Sequence, residues 1–128
     1  MPMPYSGRMK NTDKQVAPDP GRVLGTAALR AGERLGLSRA ELGQVLGRDR
    51  SSISRSGVDP ESKSGELAKL LIRCYRSLAV LVDDDQGQIR EWLSTANRHT
   101  GGVPQEQLLT VSGLVTVCEY LDAIRAKV

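Results

Sequence analysis

Hydrophobic residues recur at helical spacing along most of the chain, and this pattern predicts an all-α fold. Between residues 23 and 35 the apolar positions lie three or four residues apart, and Gly36 ends that helix. The longest apolar run, residues 66–82, forms a stripe broader than a helix on the outside of a monomer needs. We therefore expect this helix between two layers or at a subunit contact. A single buried stripe predicts the final helix, from about Val111 to Arg125.

Two short helices are predicted on either side of Gly47. Ser38 and Glu41 form a capping box, in which each side chain bonds the other residue's backbone N–H, so a helix begins after Ser38. Gly47 ends this helix, and Asp49 can cap the next one. The second helix is too short and polar to stand alone, so Ile53 must dock it onto its neighbours.

The spacing of these residues matches the helix-turn-helix pattern of DNA-binding proteins. Counting from Arg39 as the first position, the fifth is Gly43, the ninth is Gly47 and the fifteenth is Ile53. A small residue is expected where the helices cross, glycine in the turn and a β-branched side chain in the core. Ser56 stands where another apolar residue is expected, which predicts a weakly anchored second helix.

The second helix presents arginines and serines, which can bind DNA. Arginine can form paired hydrogen bonds with guanine, and serine hydroxyls suit phosphates. The side chains expected to contact bases are Arg50, Ser51, Ser54 and Arg55. Those expected on the DNA backbone are Ser38, Arg39, Arg48 and Ser52. One such helix buries too little surface for specific binding, so a homodimer that contacts two operator half-sites is expected.

Composition and charge agree with a helical protein whose first half binds a polyanion. Aromatic residues make up 3% of the chain and Phe is absent, so the core must be aliphatic, which suits packed helices. Residues 1–65 carry eleven Lys and Arg against seven Asp and Glu, whereas residues 66–128 carry seven against eight. Residues 1–22 lack apolar periodicity and predict a mobile arm, in which Arg8, Lys10 and Lys14 either contact phosphates or remain solvated.

The residues offer little for catalysis or metal binding. His99 is the single histidine, so no histidine triad or histidine-based metal site can form. Cys74 and Cys118 are 44 positions apart in apolar runs and are expected to be buried thiols in a reducing compartment. The acidic run 83–85 predicts a solvated turn rather than a metal site. We expect a cytoplasmic, non-enzymatic protein with no metal, cofactor, small-molecule substrate or membrane span.

The C-terminal part resembles the toxin-binding domain of the Xre/MbcA/ParS antitoxin family. The resemblance rests on a Trp-Leu pair, an Asn, a Gly-rich turn, a Pro, a Leu-Leu-Thr step and a closing amphipathic helix. The matching positions are Trp92, Leu93, Asn97, Gly101, Gly102, Pro104, Leu108, Leu109, Thr110, Gly113, Val117, Leu121 and Ile124. With the helix-turn-helix, the resemblance spans about residues 23–128. It implies an Xre-like DNA-binding module followed by a small helical toxin-binding module.

The resemblance also implies a function. Family antitoxins are helical dimers that repress their own operon and neutralise a RES-domain toxin, which consumes NAD, by covering its active site with the C-terminal helix. Carried onto this chain, the toxin-binding residues would be Trp92, Asn97, Leu121, Ile124, Arg125, Lys127 and Val128. Most of these also have structural explanations. Trp92 can anchor the core, and Asn97 can cap a helix or adopt a left-handed conformation. Leu121 and Ile124 belong to the buried stripe of the final helix, and Arg125 and Lys127 complement the helix dipole. The family's glycine-containing tail is absent here, which leaves the inhibiting residue open.

These observations predict an arm over residues 1–22, a DNA-binding module over 23–65, and a dimerisation and toxin-binding module over 66–128. Two alternatives stay open at this point. One is a stand-alone helix-turn-helix transcriptional regulator whose C-terminal module only dimerises. The other is a scaffold that binds no DNA.

Overall fold

The computed structural model describes residues 18–127 and confirms an all-α fold. Within these residues the chain forms no strand, only an isolated bridge between Asn97 and Gly102. The described helices are α1 (Pro20–Arg34), α2 (Arg39–Leu46), α3 (Arg50–Ser56), α4 (Lys63–Leu81), α5 (Gln86–Ser94), α6 (Pro104–Gln107) and α7 (Val111–Ala126). No helix in this part of the chain is both long and apolar enough to cross a membrane.

Helix α1 begins three residues earlier than the apolar pattern predicts. Pro20 occupies its first turn, where its fixed φ suits a helix and its missing N–H is not needed. The Asp19 carboxylate accepts a hydrogen bond from the Gly21 N–H at 3.1 Å. Residues 20–22, which the sequence assigned to the arm, are therefore helical. The arm cations at positions 8, 10 and 14 lie outside the described residues.

The two short helices begin and end as their local signals predict. Ser38 and Glu41 form both hydrogen bonds of the capping box, at 3.1 and 2.9 Å. Gly47 ends α2 in the left-handed conformation, with φ of 72°. Asp49 caps α3 by accepting from the Ser52 N–H, and Ile53 is 2% exposed. The predicted helix boundaries, the glycine in the turn and the buried Ile53 are thereby confirmed.

The prediction that α3 is weakly anchored is wrong. Ser56 is indeed exposed, but Val58, just beyond the helix, is completely buried. The Val58 N–H donates to the Gly21 carbonyl at 2.9 Å, and Arg48 donates to the Gly57 carbonyl at 2.9 Å. The apolar anchor therefore lies two residues later than the pattern suggested, and two hydrogen bonds hold the end of α3 in place.

A second glycine, besides the one predicted between α2 and α3, lies where two elements approach each other closely. A Cβ added to Gly43 would lie 3.4 Å from the Arg48 carbonyl oxygen, which is ordinary contact. A Cβ at Gly25, in contrast, would lie 3.0 Å from the Gly57 Cα and 3.2 Å from Ile53 Cγ2. The tight approach is thus between α1 and the end of α3, where a larger residue at Gly25 would force neighbouring atoms to shift.

Helix α4 lies at the centre of the molecule. It packs against α1 and α2 on one side and against α7 on the other. Its completely buried apolar side chains are Ala68, Leu71 and Cys74, and Leu78 is 1% exposed. The broad apolar stripe is therefore explained by packing between two layers of the same chain. A subunit contact is not needed to bury it.

The loop between α5 and α6 corrects the expectation for Asn97. Its side-chain oxygen accepts from the backbone N–H groups of His99 at 2.8 Å and Thr100 at 3.1 Å. This arrangement is an Asx turn, which lets the side chain replace a backbone turn contact. Asn97 therefore neither caps a helix nor adopts a left-handed conformation. The left-handed residue of this loop is Gly101, with φ of 84°. As predicted, Pro104 starts the next helix.

Candidate functional site

The side chains predicted to contact bases lie on the outer face of α3. Ser51, Ser54 and Arg55 are exposed, and Arg50 is half-buried. Ile53 points the opposite way into the core, which fixes the rotation of the helix. The outer face of α3, which spans only Arg50–Ser56, consists of these four positions together with the exposed Ser56.

Two of the four predicted DNA-backbone contacts are bound within the protein. Arg48 donates to Ser52 Oγ at 2.5 Å and to the Gly57 carbonyl at 2.9 Å, so its guanidinium joins the start of α3 to its end. Both Arg48 and Ser52 therefore support the helix. Ser38 and Arg39 are exposed at the start of α2, and the Ser38 hydroxyl caps that helix.

A row of side chains on α1 adjoins the α3 surface and was missed by the sequence analysis. Arg22, Thr26 and Arg30 are exposed and follow each other at four-residue spacing, which places them on one face of α1. With Arg50 they line a groove of about 300 Å³ between α1 and α3. Glu33 also lines it and partly offsets the positive charge. The four-residue spacing was visible in the sequence, but the partner helix was not.

The end of α7 is only partly available to a partner. Leu121 is 1% exposed and packs in the core, so the prediction that it faces a toxin is wrong for this structure. Ile124 is half-buried, while Arg125 and Lys127 are exposed. Val128 lies outside the described residues. The reachable part of the predicted toxin-binding end therefore begins at Ile124.

Trp92 belongs to a row of stacked aromatic rings on the C-terminal half. The rings of Trp92 and Tyr120 are nearly parallel with centroids 6.3 Å apart, and those of His99 and Tyr120 are 5.5 Å apart. Trp92 and Tyr120 are half-buried and His99 is exposed. Trp92 thus both packs against the core and contributes to a surface. Tyr120 was not predicted, because it lies one position away from the buried stripe of α7.

A hydrogen-bonded cluster joins α1 to the turn between α4 and α5. Arg34 binds the Asp84 carboxylate at 2.8 Å, and the Tyr75 hydroxyl donates to the same oxygen at 2.8 Å. Gln86 donates to the Arg34 carbonyl at 2.7 Å. The hydrogen bonds from Arg34 and Tyr75 lower the pKa of the Asp84 carboxyl group. In turn, the hydrogen bond to Asp84 and, to a smaller extent, the one to Tyr75 raise the pKa of Arg34. The helix-turn-helix and the C-terminal half are therefore held together by specific polar contacts.

The described residues also bear on catalysis and metal binding. Cys74 and Cys118 are free and buried, and burial raises the pKa of both thiols, which disfavours the nucleophilic thiolate. Between residues 18 and 127 no three His, Cys, Asp or Glu side chains are close enough to hold a metal ion. The chemistry available on the surface is that of binding by arginine, serine and aromatic groups.

Two comparisons with protein families agree with this arrangement. The antitoxin Xre-like helix-turn-helix domain matches residues 14–73, and the antitoxin Xre/MbcA/ParS C-terminal toxin-binding domain matches residues 77–127. The boundary between the two matches falls inside α4. None of the curated proteins compared with the chain matches it.

The helix-turn-helix and the helical half that follows define a DNA-binding antitoxin, a class of regulator that acts by binding. The chain belongs to the Xre/MbcA/ParS antitoxin family, since an antitoxin Xre-like helix-turn-helix domain is followed by that family's toxin-binding domain. Together the two matches leave out only residues 1–13, 74–76 and 128. The partners that follow from these domains are a toxin protein and DNA.

Proposed function

We propose that the protein neutralises a RES-domain, NAD-consuming toxin and represses its own operon. The observation that carries this proposal is that one chain presents two separate accessible surfaces: the arginine and serine face of α3, and the end of α7 from Ile124 onward. The proposed modules are residues 23–65 for DNA and residues 66–128 for dimerisation and toxin binding.

For DNA, we propose that the exposed face of α3 enters the major groove. Arg50 and Arg55 would form paired hydrogen bonds with guanine, while Ser51 and Ser54 contact neighbouring bases or phosphates. The exposed Ser38 and Arg39 at the start of α2 would contact the DNA backbone, together with Arg22 and Arg30 of α1. A homodimer would present two such helices to two half-sites.

For the toxin, we propose that the end of α7 covers its active site. Ile124 supplies a half-buried apolar contact, and Arg125 and Lys127 supply exposed positive charge. Val128, outside the described residues, is proposed as a further toxin contact. Trp92 and the Asn97 loop on the aromatic face would provide the flanking contact. Inhibition by coverage needs no chemistry from the antitoxin, so we propose a non-enzymatic, cofactor-free protein that acts in the cytoplasm on operator DNA.

The two activities can be tested separately with matched variants. Co-expression with a RES-domain toxin should restore growth, and deletion of residues 125–128 should abolish this rescue without changing operator affinity. This deletion spares Leu121, so the core stays intact. The double substitution Arg50→Ala and Arg55→Ala should instead weaken operator binding while leaving rescue unchanged. Arg90→Ala, an exposed position on α5, is the control for both assays.

The outcomes also separate the alternatives. Operator binding without any toxin complex would refute the antitoxin proposal and leave a stand-alone regulator. Unchanged operator affinity in the arginine double variant would refute α3 as the DNA-contacting helix. Each lost paired contact to a base should weaken binding by about 1–3 kcal/mol.

A further inference from the structure

An apolar groove lies where α1, α4 and α7 meet, away from the α3 face. It has a volume of about 780 Å³. Its floor is formed by Val23, Leu24 and Ala27 of α1 and Ile72 of α4. Val23 is 52% exposed, and Leu24, Ala27 and Ile72 are partly exposed. These side chains leave an open apolar surface of the kind that binds a partner helix or an extended segment.

The rim of this groove is positively charged. Lys69, Arg73 and Arg76 of α4 and Arg125 of α7 line it, and no carboxylate does so among the described residues. Asp122 forms an ion pair with Arg73, which removes one of the four charges. Within residues 18–127, the other three cations form no ion pair. The groove therefore combines an apolar floor with an excess of positive charge.

This charge selects among the segments that could cover the floor. Residues 1–17 carry three cations and one carboxylate, so their net charge has the same sign as the rim. A second copy docked groove to groove about a two-fold axis would bring its own cationic rim against Lys69, Arg76 and Arg125. Both occupants would bring like charges together, whereas an acidic partner would bring opposite charges together.

We propose that this groove binds an acidic amphipathic segment of the toxin, with apolar side chains on the floor and carboxylates at the rim. The inference rests on the proposed function, since it takes the toxin as the protein that supplies the segment. Arg125 belongs both to the rim and to the reachable end of α7. A toxin held by this end would therefore pass directly over the groove and would contact α1 of the DNA-binding half as well.

A peptide assay tests the groove without the toxin. The full-length protein is titrated with a labelled amphipathic helical peptide whose polar face carries glutamates, and with a second peptide that has the same apolar face but lysines. The wild type should bind the glutamate peptide at least about tenfold more tightly than the lysine peptide, because like charges at an interface are strongly unfavourable. Arg76→Glu should lose this preference or reverse it. Arg90→Glu, outside the groove, should retain it.

Several results would overturn the inference. These are equal affinity for the two peptides, no binding of the glutamate peptide, or an Arg76→Glu variant with unchanged preference. Two other results would assign the face to a different partner, if Arg76→Glu still prefers the glutamate peptide. Loss of duplex DNA binding would show that the face binds nucleic acid, and conversion of a dimer to a monomer would show that it binds a second copy. Growth rescue with a RES-domain toxin separates this inference from the proposed function, because rescue by the wild type with no peptide preference refutes only the groove.

Discussion

Replacing Gly57 with alanine should destabilise the DNA-binding half more than a change at any open glycine. Gly57 follows α3 with φ of 76° and ψ of −164°, a conformation that is essentially restricted to glycine and costs other residues about 1–3 kcal/mol. An added Cβ would also lie 2.5 Å from the Gly21 carbonyl oxygen and 2.8 Å from the Arg22 nitrogen. Both neighbours are backbone atoms, so the end of α3 must move away from α1.

That movement would disturb two hydrogen bonds, from Val58 to the Gly21 carbonyl and from Arg48 to the Gly57 carbonyl. Each contributes about 1 kcal/mol, so we expect Gly57→Ala to lower the free energy of unfolding by about 3 kcal/mol or more. Gly36→Ala is the matched control, because Gly36 has φ of 78° but no atom within 4 Å of an added Cβ.

Chemical denaturation, followed by circular dichroism, measures the free energy of unfolding of both variants and of the wild type. We expect Gly36→Ala to lower the free energy of unfolding by only about 1–2 kcal/mol, the cost of a left-handed backbone at a residue other than glycine. A mobility-shift titration should also show weaker operator binding for Gly57→Ala at temperatures where the protein remains folded, because α3 is displaced. If the two variants lose the same stability, the close contact between α1 and α3 does not constrain the fold as argued.

Three further predictions concern the core, the polar cluster and the thiols. Leu121→Ala should lower the free energy of unfolding by about 2–5 kcal/mol in denaturant titrations, because the side chain is 1% exposed. The Asp84 bond to Arg34 lowers the carboxyl pKa, so its stabilisation is fully present above the unfolded pKa of about 4 and is lost as the pH falls through the lower folded value. Asp84→Asn should remove this acid-dependent part, seen by comparing unfolding titrations across pH. Cys74 and Cys118 should react with a thiol reagent only as the protein unfolds, and rapid reaction in native buffer would contradict their burial.

The helix boundaries could be predicted where the signals act within a few residues. The capping box of Ser38 and Glu41, the left-handed Gly47 and the Asp49 cap each involve groups no more than four residues apart. Such contacts depend little on the rest of the fold, so their side-chain types indicate them directly. The exposure of Ser51, Ser54 and Arg55 also followed once Ile53 was assigned to the core.

Contacts between distant elements could not be predicted in this way. Arg34 and Asp84 are separated by fifty positions, and neither residue type indicates its partner. The tight crossing at Gly25 depends on the rotation of α1, which the apolar pattern fixes only approximately. The stripe of α7 likewise indicated which face is buried but not where burial ends. The family resemblance placed Leu121 against the toxin, although its side chain is 1% exposed and packs in the core.

The shared central helix has a consequence for the turnover of the protein. Because α4 contributes buried side chains to both halves, neither half retains a complete hydrophobic interior after the other is cut away. Under the proposed function, a protease that cleaves either half would therefore end toxin neutralisation and operon repression in a single event. Transcription of fresh antitoxin would then start at the moment when the existing pool is destroyed.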